Sequence, residues 1–183
     1  MSNVNQPGTT PQQNLTNLPP AVTAPSFTHN VDDLATTVFF TLHQAVTLGG
    51  IKIAKKFQEP VTLHDPCNVI RGGGLAEKSR DVTNAICETL IEMHPNREHN
   101  YCCGAGGGVI NCGPPHKITR MEGNRIKAEQ LFAAKSRGAK VLIAPCHNCH
   151  SGLEDINHYY GLGYEIKFIS DILYEVMEKP SVE

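Results

Sequence analysis

The chain has 183 residues, 40% of them hydrophobic and 19% charged, which is enough for one domain of ordinary size. A formal net charge of −2 gives no electrostatic basis for binding nucleic acid or an acidic membrane surface. The sequence has no apolar run of the roughly 18 residues a membrane span needs, which argues against direct membrane insertion. It also has no basic-then-apolar leader, so the expected location is cytoplasmic, with peripheral docking on a membrane complex as an option.

Residues 1–30 are rich in Pro, Thr, Asn and Gln, and no Asp, Glu, Lys or Arg precedes Asp32. Such a segment buries too little apolar area to offset its ordering entropy, and a disordered polar tail is expected. Residues 31–60 read as a helical lead-in. Asp32 or Asp33 would cap a helix with Leu34, Val38, Leu42 and Ala45 as its apolar stripe, ended by Gly49-Gly50. The remainder, 61–183, is expected to form one cysteine-rich domain.

Within it, Val61–His64 reads as a strand, followed by Asp65-Pro66-Cys67 and the glycine turn Arg71–Gly74. A helix is expected over Ser79–Met93, with Val82, Ile86, Leu90 and Met93 at helical spacing and Cys87 as a packing residue in its middle. The short run Asn100-Tyr101 leads into Cys102-Cys103-Gly104-Ala105-Gly106-Gly107-Gly108. A polar insert around Gly113-Pro114-Pro115 precedes a helix over Thr119–Ser136, stopped by Gly138. Lys140–Ala144 is a second clear strand, closed by Pro145. A helix over Cys149–Tyr160, a strand over Glu165–Ile169 and a helix over Asp171–Glu178 complete the pattern. Alternating strands and helices predict an α/β fold: an open parallel sheet of about four strands with flanking helices and right-handed crossovers.

Seven cysteines in a chain expected in a reducing compartment are metal ligands or redox thiols more often than structural disulfides. Five of them, Cys67, Cys102, Cys103, Cys146 and Cys149, follow expected strands, so they would gather at the strand C-terminal ends, where open parallel sheets bind ligands. Cys112 follows the glycine loop, and its role is open. Gly104, Gly106, Gly107 and Gly108 permit left-handed backbone and close approach. They are not a dinucleotide fingerprint, because Val109 stands where its third glycine would be.

Several chemistries remain open from the residues alone. Thiolates hold iron–sulfur clusters, and four of the thiols, or thiols with His64 or His150, could hold zinc. Cys146-His147-Asn148-Cys149-His150 also spells a haem attachment sequence, although that chemistry normally follows export. A strand–CxxC–helix order fits a metal-free dithiol whose first Cys is activated at a helix N-terminus. His64, Asp65, His147 and His150 flank the sulfurs, and His64 and His150 are the candidates for catalytic proton delivery. Arg71 and Arg120 could offset a negative cluster or hold a carboxylate, with solvated surface as the ordinary alternative.

His64-Asp65-Pro66-Cys67, Cys102–Gly108 and Pro145-Cys146-His147-Asn148-Cys149 together resemble the cysteine-rich CCG domain of heterodisulfide reductase B and related iron–sulfur oxidoreductases. Glu92–Glu98 looks closest to the Dsr-type branch from membrane complexes serving sulfite reduction. The resemblance spans roughly residues 40–178. It implies a non-cubane [4Fe–4S] cluster held by Cys67, Cys102, Cys103, Cys146 and Cys149, with Gly104 and Gly106 close to it. It also implies reduction of a disulfide or trisulfide, with electrons from an iron–sulfur or membrane-complex partner subunit and a disulfide-bearing small molecule or protein as substrate. Heterodisulfide reductase B carries two such units, and this chain carries one. No Cys precedes Cys67, so the ferredoxin-like clusters of the Dsr-type protein have no counterpart, and a separate protein or a longer chain would supply the electrons. A non-catalytic docking module stabilised by a cluster or zinc is the remaining alternative.

Overall fold

The computed structural model describes residues 34–179. The tail expected over 1–30 and the capping residues Asp32 and Asp33 lie outside them. Three short strands, β1 (Val61–Leu63), β2 (Val141–Ile143) and β3 (Glu165–Lys167), form a wholly parallel sheet in the order β1-β2-β3. Thr62 lies opposite Leu142, and Leu142 opposite Ile166. Six α-helices flank the sheet: α1 (Leu34–Thr47), α2 (Ala76–Ile86), α3 (Pro114–Gly123), α4 (Arg125–Ser136), α5 (His147–Tyr159) and α6 (Ile169–Val176).

Successive strand side chains alternate between faces, and each face has its own core. Val61, Leu63, Val141 and Ile143 pack with Val82 and Ile86 of α2 and Ile172 and Val176 of α6. Leu142 packs on the other side with Met121 of α3, Leu131 of α4, and Leu153 and Ile156 of α5. Burying each such aliphatic side chain contributes roughly 1.5–3 kcal/mol before entropy is counted.

The expected strand at Asn100-Tyr101 does not form, so the sheet has three strands rather than four. A 3₁₀ turn (Arg97–His99) precedes Asn100, and the Asn100 side chain is buried, donating to the Asp65 carbonyl at 3.0 Å. The free edge of β1 is met instead by Thr89–Ile91. The Val61 amide donates to the Thr89 carbonyl at 2.9 Å and the Ile91 amide to the Val61 carbonyl at 2.8 Å. This follows from α2 ending at Ile86, not at Met93. Cys87 is already extended and pairs in parallel with Phe57, so it sits at the helix end and not in its middle. Leu90 and Met93 keep helical spacing by coincidence, because the β-compatible run Thr89-Leu90-Ile91 is captured by the strand edge.

The expected helix over Thr119–Ser136 is two helices, broken at Asn124. Pro114 and Pro115 are not an insert but the first turn of α3, where a missing amide costs nothing. On α1 the core-facing stripe is Phe39, Leu42 and Val46, whereas Val38 is 56% exposed.

Candidate metal centre

Three chain segments deliver the five cysteines. The first follows β1. Cys67 precedes a one-turn π-helix, Asn68–Gly72, whose Val69 and Ile70 are buried in the α1–α2 side of the core. Arg71 in this turn donates from Nε to the Glu98 carbonyl and from Nη2 to the Asn100 carbonyl, both at 2.6 Å. Arg71 therefore clamps the Cys67 turn to the segment leading into Cys102.

The second segment carries Cys102 and Cys103. Gly104 has φ +67°, and a Cβ there would lie 2.3 Å from Asn124 Nδ2. This position needs glycine both for its left-handed backbone and for space. The Asn124 side chain occupies that space because it donates to the Cys103 carbonyl at 3.1 Å. The Gly104 amide donates to Cys102 Sγ at 3.2 Å. Gly106, in contrast with the expectation for it, is not left-handed and has open space around it.

The third segment follows β2. Cys146 caps α5 and Cys149 lies in its first turn. A hydrogen bond from the Cys149 thiol and the amides of Cys149 and Asn148 lower the Cys146 pKa to about 6. α5 approaches the glycine loop closely because residue 152 is glycine: a Cβ there would lie 2.5 Å from Ala105 Cβ.

These segments converge. Cys103 Sγ and Cys149 Sγ are 3.2 Å apart, and a ring nitrogen of His64 lies within 4.8 Å of both. The free thiol of Cys102 shares a hydrogen bond with Cys103 and feels the charge of Cys67, while that of Cys146 shares one with Cys149 and feels Cys103. Cys103 and Cys149 are buried, Cys146 is half-buried, and Cys67 and Cys102 are exposed. The group is therefore closed on its protein side and open on the other. Hydrogen bonds from Cys102 and Cys149, reinforced by His64, pull the Cys103 pKa down. Sharing with Cys103 pushes Cys102 and Cys149 up. Negative charge thus settles on a buried sulfur. Burial, with the nearby Lys127, lowers the proton affinity of His64.

Other candidates are placed elsewhere. Cys87 is buried in the α2 core, and burial pushes its thiol to about 12. Cys112 is exposed and borders a cavity of about 420 Å³ with Pro114, Ile118, Met121 and Tyr159. The His150 ring stacks on Phe168 at 4.2 Å and faces Glu154 at 3.6 Å, and His147 stacks on Phe168 at 6.1 Å. Arg120 is buried and paired with Asp155, so it is neither solvated surface nor a neighbour of the thiols by its contacts.

Sequence reasoning missed a buried polar layer behind the sulfurs. Arg80 grips both carboxylate oxygens of Asp65 and both of Glu92. Asn100 links the Asp65 carbonyl to the His64 ring, at 3.0 and 3.3 Å. Lys127 donates to Asn100 Oδ1 at 3.2 Å and to Gln130 Oε1 at 2.6 Å. A signal for Lys127 was present: it shares helical spacing with the buried Leu131 and Ala134. An isolated glycine inside the α5 pattern similarly marked Gly152.

Residues 61–154 match the model of the cysteine-rich CCG domain. The chain belongs to this family. Its relatives include an Hdr-like menaquinol oxidoreductase iron-sulfur subunit of Archaeoglobus profundus, 36% identical over 46% of this chain and 15% of the relative. The D component of dihydromethanophenazine:CoB–CoM heterodisulfide reductase from Methanosarcina barkeri is 34% identical over 57% of this chain and 24% of its own length. A probable membrane-anchored ferredoxin of Chromohalobacter salexigens is 29% identical over 63% of this chain and 16% of its own length. The chain thus spans a quarter or less of these relatives. No solved structure matches it. Among the described residues no helix is long and apolar enough to cross a membrane.

The donor set of the CCG domain fits an iron–sulfur group. Five sulfurs exceed the four that one tetrahedral metal ion takes, and thiolates are the ligand type of iron–sulfur clusters. A buried imidazole and a buried ammonium stand behind them, the kind of outer partners that tune such groups.

Proposed function

We propose that this CCG domain is the cluster-holding part of an iron–sulfur oxidoreductase that reduces a disulfide or trisulfide. Cys67, Cys102, Cys103, Cys146 and Cys149 would hold a [4Fe–4S] cluster of the non-cubane kind. The observation that carries this reading is the meeting of Cys103, Cys149 and His64, from three chain segments, within 4.8 Å of one another, in a family whose relatives are named iron–sulfur subunits. When bound, such a cluster supplies one-electron transfer and iron sites with affinity for sulfur.

The chain's own residues divide the remaining work. Buried Cys103 and Cys149 anchor the group, and exposed Cys67 and Cys102 border the side from which a substrate sulfur approaches. Gly104 and Asn124 fix the direction of the double-cysteine loop. Cleaving an S–S bond consumes two electrons and two protons and leaves two thiols. His64, beside Cys103 and with its proton affinity lowered by burial, is the first candidate for passing a proton on to the sulfurs. His150, whose ring contacts are Phe168 and Glu154, is the second candidate at the rim. Electrons come from a partner subunit, and a relative named as membrane-anchored makes peripheral membrane docking part of this reading.

Anaerobic reconstitution tests the proposal. Roughly four iron and four acid-labile sulfide per chain are expected, with a broad brown absorbance envelope. A colourless, iron-free chain after reconstitution overturns it. One observation favours a second reading, a metal-free dithiol: Cys146 caps a helix and its pKa is lowered to about 6. Disulfide turnover that survives Cys67→Ala and Cys102→Ala would establish the dithiol in place of the cluster.

A further inference from the structure

Lys127 has no solvent-exposed surface. Its three hydrogen-bond acceptors are all neutral: Gln130 Oε1 at 2.6 Å, Asn100 Oδ1 at 3.2 Å and Met93 Sδ at 3.5 Å. Among the described residues it forms no ion pair with a carboxylate. A buried ammonium in that position is strongly unfavourable unless negative charge lies nearby. The negative groups that act on it are Asp65, Cys103, Cys149 and Cys102. Asp65 is partly compensated: Arg80 holds both its oxygens but is shared with Glu92, and the Arg97 amide donates to one of them at 2.7 Å. The sulfurs are the other negative groups.

Geometry ties the same lysine to the site a second way. Lys127 holds Asn100 Oδ1, Asn100 Nδ2 lies 3.3 Å from His64 Nδ1, and His64 hydrogen-bonds Cys103. Two side chains, Asn100 and His64, therefore join the ammonium to the buried Cys103 sulfur. Burial draws the Lys127 pKa down to about 7 even with the opposing pull of Asp65 and the sulfurs, so further negative charge on the sulfurs favours the ammonium.

We propose that Lys127 is the buried counter-cation of the five-cysteine centre: it raises the reduction potential of the cluster held there and, through Asn100, fixes the His64 ring. This inference rests on the cluster reading. A reduced cluster carries one more negative charge than an oxidised one, and a fixed buried cation favours the reduced form. Lys127 touches no reacting atom, so it is a positioning residue.

The test is an EPR-monitored redox titration of the anaerobically reconstituted chain, unmutated and as Lys127→Met, Lys127→Arg and Gln130→Glu. Lys127→Met removes the charge, and about a tenfold loss in the one-electron reduction equilibrium is expected, ~59 mV toward negative potential. Gln130→Glu places a carboxylate on the ammonium without touching Lys127, and a smaller shift of the same sign is expected. It also covers the case in which the Met variant does not fold. Lys127→Arg keeps the charge and should stay close to the unmutated value. Iron uptake with equal potentials in all four proteins overturns the role of Lys127 and leaves the cluster reading standing. Failure of the unmutated chain to take up iron overturns both.

Discussion

On the α1–α2–α6 face of the sheet, Val61, Leu63, Val141 and Ile143 meet an almost wholly apolar layer. The buried hydroxyls of Ser79 and Thr83 satisfy themselves within α2, on the carbonyls of Leu75 and Ser79 at 2.9 and 2.8 Å. On the opposite face, Leu142 shares its layer with Cys103 and Cys149, and α4 carries the buried Lys127 and Gln130. One face is a dry core that holds the chain folded. The other gives up apolar area to house thiols and the polar groups behind them. Mutations on the two faces should therefore separate, stability falling on the first and metal uptake on the second.

Leu63→Ala should give the largest stability effect. A fully buried leucine lost from the dry face costs about 2–5 kcal/mol, read as a lower urea midpoint, while iron per folded chain stays unchanged. Falling iron in the folded variant would break the separation. Gly104→Ala comes next. Left-handed strain costs about 1–3 kcal/mol, and the new methyl displaces Asn124 from the Cys103 carbonyl, so iron uptake should fall with stability. Gly106→Ala is the matched control and should change neither. Gly152→Ala should be milder, with overpacking against Ala105 of about 1–3 kcal/mol and a partial loss of iron.

The smallest effect sharpens the comparison without mutation. In the metal-free chain, Cys146 forms its thiolate as pH rises through about 6, so its alkylation rate should climb around pH 6 and then level off. An ordinary thiol would keep climbing to about pH 8.5. Cys87, on the dry face and pushed to about 12, should stay unlabelled until denaturant is added. A Cys146 profile centred near 8.5 would show that the helix start does not bias this site.

Much of this division was legible in the sequence. β1 and β2 stood out as apolar runs ended by Asp65-Pro66 and Pro145, and Cys149, after β2, lies 3.2 Å from Cys103. Gly104 was legible because a glycine beside a double cysteine signals special backbone, whereas Gly106 gave the same signal and needs no such conformation. The end of α2 was not legible, since Leu90 and Met93 satisfy helical spacing although strand-edge pairing at Thr89–Ile91 decides their fate. The missing strand at Asn100-Tyr101 has a similar cause: Asn100 serves as a tertiary hydrogen-bonding hub. Lys127 is hardest to read: its spacing with Leu131 and Ala134 points inward, but a lysine inside an amphipathic helix ordinarily reaches solvent, and its partners across the chain decide that it does not.

The Arg71 clamp has a mechanical consequence. Its two 2.6 Å bonds reach across the gap between the turn after Cys67 and the segment before Cys102. Two cysteine-bearing arms that are far apart in sequence are thereby tied into a single jaw beside the buried pair Cys103 and Cys149. Loading such a jaw spends little ordering entropy on arriving metal. Arg71, with the Asn100 bond to the Asp65 carbonyl, ties the two sides of the mouth together, and neither need touch what the mouth holds.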